Sequence, residues 1–306
     1  MTESKRYIFR GMQILNANLI KDHALVVEEG EIKAIVPDSM AVHHLPAEEL
    51  RFAETAYLVP GFIDLHVHGA AGHDVMDAQE KSLQAISAAL AREGVTGYLA
   101  TTMTASNEEI EKVLKTIANS LDNPHGAAIL GVHLEGPFIA KSKMGAQNGD
   151  LTQAPNSDLI RYWQKAANGM IRLLTLAPEL SEITDFIKTL KELSIVASVG
   201  HTNATYAETM EAIAAGCTHA THLFNAMRGI QQREPGATGA LLLSDKVNAE
   251  LIVDGHHLHP AIIDLAFRVK GKDKLILVSD AMRAKCMDDG QYELGGQAVN
   301  VDRKSV

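Results

Sequence analysis

Two histidines one residue apart, His66-Val67-His68, close an apolar run that reads as a β-strand. Side chains alternate along a strand with a period of two, so both imidazoles leave one face and can reach a common metal ion. By itself a His-x-His pair fits two ordinary histidines equally well. Glu135, His201 and His222 follow three other apolar runs and add a carboxylate and two more imidazoles. The five together form a donor set suited to zinc, iron or another divalent transition metal. Asp280 ends Leu275-Ile-Leu-Val-Ser-Asp, a position from which a carboxylate can take a proton from water activated by such an ion. The plain alternative for Asp280 is a buried carboxylate holding a backbone turn. Among the 14 histidines, His133 and His219 fall inside strands and read as packing residues or supports for the ligands. His73 is open between a pocket-mouth residue and a loop residue, and Cys217 and Cys286, with no CxxC pairing, do not read as catalytic.

The elements that must carry these residues are legible in the hydrophobic pattern. From Leu58 onward eight strand-like runs appear: Leu58 to Leu65, Val95 to Thr101, Ala127 to Leu134, Ile171 to Ala177, Ile195 to Val199, His219 to Leu223, Ala249 to Val253 and Leu275 to Ser279. Between them, 82–92, 108–121, 159–167, 183–193, 206–215 and 261–269 repeat apolar residues at helical spacing. Ser106 with Glu109 predicts a capping box, and Gly94 and Gly216 stand where helix C-caps belong. Eight strands with intervening helices predict a (β/α)8 barrel, whose chemistry lies at the C-terminal ends of the strands. The polar residues named above fall at those ends. The first 58 residues carry shorter β-like runs broken by Gly11, Asn16, Gly30 and Pro37, which predicts a small sheet.

Composition narrows the classes. The 306 residues are 46% hydrophobic and 22% charged, enough for one large unit or two ordinary domains. A formal net charge of −10 works against capture of nucleic acid or anionic lipid. Two cysteines are too few for a disulfide framework, the N-terminus lacks the apolar core of a signal peptide, and no apolar run is long enough for a bilayer. These features predict a cytoplasmic protein.

The strings Pro60-Gly-Phe-Ile-Asp-Leu-His-Val-His-Gly, His133-Leu-Glu-Gly-Pro-Phe, Gly200-His-Thr-Asn-Ala, Thr221-His-Leu-Phe-Asn-Ala-Met, Asp254-Gly-His-His and Val278-Ser-Asp-Ala resemble the N-acetylglucosamine-6-phosphate deacetylases of the amidohydrolase superfamily. The resemblance covers nearly the whole chain. It implies that Glu135, His201 and His222 bind the principal metal, zinc first, and that Asp280 is general base and then general acid. His66 and His68 match a pair that holds a second ion in some members. Asn225 and Ala226 match the stretch that holds the sugar phosphate, Arg233 the phosphate-binding Arg, and His257 a substrate-binding His. Ala146 and Gln147 lie in a substrate loop that often reads Gly-Ala-His, so Gln147 departs from the pattern and leaves the sugar preference open between glucosamine and galactosamine types. The resemblance also implies a homodimer, with Arg233 acting in its own chain or across the interface. The implied organisation is a small β-sandwich domain from 1–58, the barrel over 59–295, and the start of a return to the small domain at 296–306. Members normally continue further, with a last barrel helix and further strands. The expectation is therefore a truncated C-terminus that leaves Leu275 and Leu277 without outer cover.

Overall fold

A computed structural model describes residues 5–121 and 125–302. The chain divides into two compact units, Met1–Gly61 and Phe62–Val306.

The first unit holds a four-stranded sheet (Arg6–Arg10, His23–Glu28, Glu31–Pro37, Glu48–Arg51) and a three-stranded one (Gln13–Asn16, Asn18–Ile20, Tyr57–Leu58). The hairpin between His23–Glu28 and Glu31–Pro37 turns at Glu29 and Gly30, both with positive φ, as a two-residue turn matching strand twist requires. Met12 and Ile14, from the three-stranded side, share a buried cluster with Leu25 of the four-stranded sheet, so the two sheets pack on one another. Leu58 pairs with this unit through Ile14, whereas the sequence pattern joined it to the first barrel strand. Pro60, which has no N–H, and Gly61 interrupt the run, and the barrel strand starts at Phe62.

The second unit contains eight parallel strands in sequential order: β1 (Phe62–Val67), β2 (Val95–Thr101), β3 (Ala128–Glu135), β4 (Ile171–Leu176), β5 (Val196–Val199), β6 (His219–Ala220), β7 (Asn248–Ile252) and β8 (Leu275–Val278). Helices α1 (Glu80–Arg92), α2 (Asn107–Asn119), α3 (Ser157–Ala166), α4 (Ile183–Glu192), α5 (Tyr206–Ala215), α6 (Gly236–Leu243) and α7 (Pro260–Lys270) alternate with them. The last strand meets the first at the C-terminal rim, where His68 N and Gly69 N both donate to Ala281 O and Asp280 N donates to His66 O. Asp64 Oδ1 accepts from His66 N and Ser279 N at the same seam, 3.2 and 3.3 Å away. The arrangement is the (β/α)8 architecture the alternation predicts.

Helix α2 shows how sequence builds the barrel wall. Ser106 and Glu109 form the capping box, and Ile110, Val113, Leu114 and Ile117 bury one stripe against the strands. Helix α6 is absent from the sequence reading for the opposite reason. Seven of its eight residues are buried, so it has no polar face and no amphipathic period. On the outer face of β8, Leu277 is 66% exposed as expected, whereas Leu275 packs against the barrel core. Gly290–Leu294 and Gln297–Val301 pair with each other as a hairpin, and residues 303–306 of the expected return segment lie outside the described residues.

Candidate metal centre

The strand ends deliver the predicted donors to one place. His66 is in β1 and His68 just beyond it; Glu135 is the last residue of β3; His201, His222 and Asp280 each stand two residues past the ends of β5, β6 and β8. The last three adopt left-handed backbone, with φ of 45°, 29° and 47°. Such conformations cost on the order of 1 kcal/mol or more for non-glycine residues and persist where packing over-determines them. Gly200 permits the turn into His201, because a Cβ there would lie 2.7 Å from Thr221 Cβ and 2.8 Å from Thr175 Cγ2.

Three groups of donors lie close enough to share an ion: Glu135, His201 and His222; His66, His68 and Asp280; and His66, His133 and Glu250, which sits beneath the second and shares His66 with it; the first two converge on the strand ends. In the first, Glu135 Oε1 is 3.2 Å from His201 Nε2 and 3.1 Å from His222 Nε2, and the two nitrogens are 3.1 Å apart. In the second, His66 Nε2 and His68 Nε2 are 3.2 Å apart and each is 3.3 Å from Asp280 Oδ1. Glu135 joins them, since its Oε2 lies 3.2 Å from His68 Nε2. Ligands bonded at about 2.0–2.2 Å to a tetrahedral ion stand about 3.3–3.6 Å from each other. The observed spacings are within a few tenths of an ångström of that, so the residues fit a divalent cation, or a pair sharing Glu135. His201 Nδ1 donates to the Lys143 carbonyl at 2.8 Å, which leaves Nε2 with its lone pair toward the trio.

Electrostatics point the same way. Burial disfavours charge on His66, yet Asp280 and Glu135 draw its pKa well above the usual imidazole range. Burial likewise opposes charge on His68, but Asp280 and Glu135 raise it to about 9. Burial pushes the Asp280 and Glu135 carboxyls up, and the surrounding imidazoles more than offset this and hold both below the usual carboxylate range. The cage therefore favours positive charge at its centre.

Above the donors lies a cavity of about 280 Å³, lined by Ala146, Gln147, Asn225, Ala226 and His257 together with Met103, Ile252, Met282 and Leu294. Five of the six residues expected to bind substrate thus face one chamber. Arg233 is exposed and does not line it. Asn225 Nδ2 is buried without a partner among the described residues, a donor free for a ligand oxygen. Each end of the Gln147 amide makes one bond: its Oε1 accepts from Thr104 N and its Nε2 donates to Glu135 Oε2 at 2.7 Å, which leaves its second N–H uncommitted by them. Cys217 is buried, with its thiol pushed up to about 12. His73 bonds Ser82 rather than lining the chamber.

A sequence profile described as the amidohydrolase family matches residues 57–289. The chain belongs to the amidohydrolase family. This amidohydrolase is 40% identical over 299 residues to the N-acetylglucosamine-6-phosphate deacetylase of Bacillus subtilis, covering 96% of this chain and 75% of that protein. It is 35% identical to an Escherichia coli N-acetylgalactosamine-6-phosphate deacetylase over 96% of this chain and 76% of that one. Its fold superposes on the Pasteurella multocida N-acetylglucosamine-6-phosphate deacetylase with a TM-score of 0.89 at 33% identity, covering 97% and 77% of the two chains. A mutant of the Mycobacterium smegmatis enzyme, solved with N-acetyl-D-glucosamine-6-phosphate, gives 0.87 at 34% identity over 97% and 76%.

One residue of the centre lies outside the donor pattern of the sequence. Glu250, in the middle of β7, is fully buried and bonds His66, His219 and the backbone of His222. Its signal was present: an ionisable residue inside the otherwise apolar run Ala249 to Val253.

Proposed function

We propose that the chain hydrolyses the acetamide of N-acetylglucosamine 6-phosphate to glucosamine 6-phosphate and acetate. The observation that carries this reading is the pair of carboxylate and imidazole trios, one of them including Asp280, on the floor of a largely apolar chamber that also presents the unpartnered Asn225 amide. Glu135, His201 and His222 would hold the principal ion and His66, His68 and Asp280 a second, with zinc as the expected metal and iron as the alternative. When bound, the metal supplies Lewis acidity, which brings the pKa of water from about 15.7 towards about 7 and polarises a carbonyl. Asp280 accepts the proton of the attacking water and returns it to the sugar nitrogen, since an amine leaves poorly unless protonated. Ala146, Gln147, Asn225, Ala226 and His257 hold the sugar phosphate.

N-acetylgalactosamine 6-phosphate is the second reading, favoured by the Escherichia coli relative, with Gln147 leaving the sugar preference open. Arg233 is exposed and off the chamber, which supports a homodimer in which it reaches the phosphate bound by the other copy. Unpaired Cys217 and Cys286 fit a cytoplasmic enzyme.

Acetate release from both sugar phosphates by metal-loaded protein, beside a chelated control, tests the reading; no release from either would retire it. Arg233→Ala is expected to lose about 1.5–3 kcal/mol in kcat/KM, about 10- to 150-fold, on the phosphorylated sugar only. Equal losses on an unphosphorylated N-acetyl sugar would assign Arg233 to the fold or the chemistry. Mixing Arg233→Ala with Asp280→Asn subunits should then restore part of the activity if Arg233 works in trans.

A further inference from the structure

We propose that Glu250 is a positioning residue that fixes the protonation pattern and orientation of the second trio from beneath, an inference that rests on the metal-dependent reading above. Its carboxylate is wholly enclosed and accepts three hydrogen bonds. Oε2 takes one from His66 Nδ1 at 3.0 Å and one from the His222 backbone N–H at 3.1 Å; Oε1 takes one from His219 Nε2 at 2.9 Å.

A carboxylate can only accept, so His66 must carry its proton on Nδ1. That leaves the Nε2 lone pair aimed at His68 and Asp280, where a cation would bind. The same oxygen anchors the backbone of His222, a member of the other trio, at a residue whose φ of 29° needs support. Glu250 thus contacts one member of each of these two trios while belonging to neither.

The surroundings exclude a simpler role as half of an ordinary ion pair. Each bond recorded for the Glu250 carboxylate comes from an imidazole or a backbone amide, and none from Lys or Arg. His133 packs edge-on against His66 at 4.5 Å between ring centroids, and its Nε2 bonds Thr175 Oγ1 rather than Glu250. A buried carboxylate without a fixed cation is costly. Here the carboxylate is bonded to the ring of His66, and with an ion bound at the other ring nitrogen the outer carboxylate would set the ring orientation and raise ligand basicity.

The alternative is that Glu250 only ties β7 to β6 and β1. Ion binding and histidine tautomer separate the two, and neither depends on the substrate, so absence of acetate release would leave this test intact. Zinc titration against a chromophoric chelator is expected to show that Glu250→Gln weakens the ion held by His66 about 10- to 100-fold. The Glu135, His201 and His222 trio should bind with a smaller loss. His219→Gln, which removes a Glu250 partner outside both trios, should leave both affinities near wild type. A folded Glu250→Gln protein that binds zinc with unchanged affinity and stoichiometry, whatever its melting temperature, would overturn the proposal.

Nitrogen-15 spectra of the imidazoles in the unmodified zinc-loaded protein supply a check that needs no variant. His66 should carry its proton on Nδ1 and bind through Nε2. A proton on Nε2, or binding through Nδ1, would overturn the assignment even if Glu250→Gln fails to fold.

Discussion

Asp280→Asn is expected to lower kcat by about 10² to 10⁴ with a nearly unchanged KM, the span associated with loss of a positioned acid-base group. Asp280 stands past the end of β8 in left-handed backbone, with Oδ1 3.3 Å from both His66 Nε2 and His68 Nε2. The neighbouring imidazoles hold the carboxyl below its usual range, so it is ionised at neutral pH and ready to accept a proton. An amide of the same shape keeps the packing but has no comparably basic atom. Asp280 also belongs to the His66 and His68 trio, so the variant must be assayed with enough metal to fill what remains. The Glu135, His201 and His222 trio does not include it and should retain its ion. Turnover near wild type in metal-replete Asp280→Asn would remove Asp280 from the proton transfers.

Much of the architecture could be read from periodicity because the barrel is built from local repeats. The pattern limits for β2 and α5 coincide with the observed Val95–Thr101 and Tyr206–Ala215, since both are bounded by glycine or by a capping residue. Helix α6 was invisible because burial all round removes the polar face that marks a helix. The apolar pattern carries Leu58 across Pro60 into the barrel strand because hydrophobicity alone does not register a missing N–H. The donor residues were legible from their place after apolar runs, but their backbone conformation was not, because no local rule places His201, His222 or Asp280 at positive φ. Gln147 could be placed in the substrate loop from its neighbours. Its bond to Glu135 depends on a fold that brings the loop after β3 back over that strand's own end, which spacing does not encode. Glu250 shows the other limit: an ionisable residue inside an apolar strand is a signal, but the identity of its partners on β1 and β6 comes only from barrel closure.

Removing the metal is expected to make stability depend on pH between about 6.5 and 9. In the metal-free protein the His68 pKa rises from its ordinary 6.5 to about 9, because Asp280 and Glu135 outweigh the cost of burial. A group whose folded pKa is raised contributes stability that is complete below the unfolded value and is lost as pH climbs through the folded one. Protonated His68 therefore supports the metal-free fold at pH 6 and ceases to by pH 9, a change of at most about 3 kcal/mol. The depressed carboxyls of Glu135 and Asp280 work in the opposite direction, but their contribution is complete above the usual carboxylate range and is flat across this window. A bound cation replaces the protons, and its affinity rises with pH as competition from them falls. At a free concentration one hundred times its dissociation constant it adds about 2.7 kcal/mol. The melting temperatures of loaded and chelated protein should thus lie closest near pH 6 and diverge towards pH 9, by several degrees for a unit of this size. Thermal unfolding at half-unit pH steps, with and without chelator, measures the gap. A gap that is constant or narrows with rising pH would mean that protons and metal do not compete for this cage.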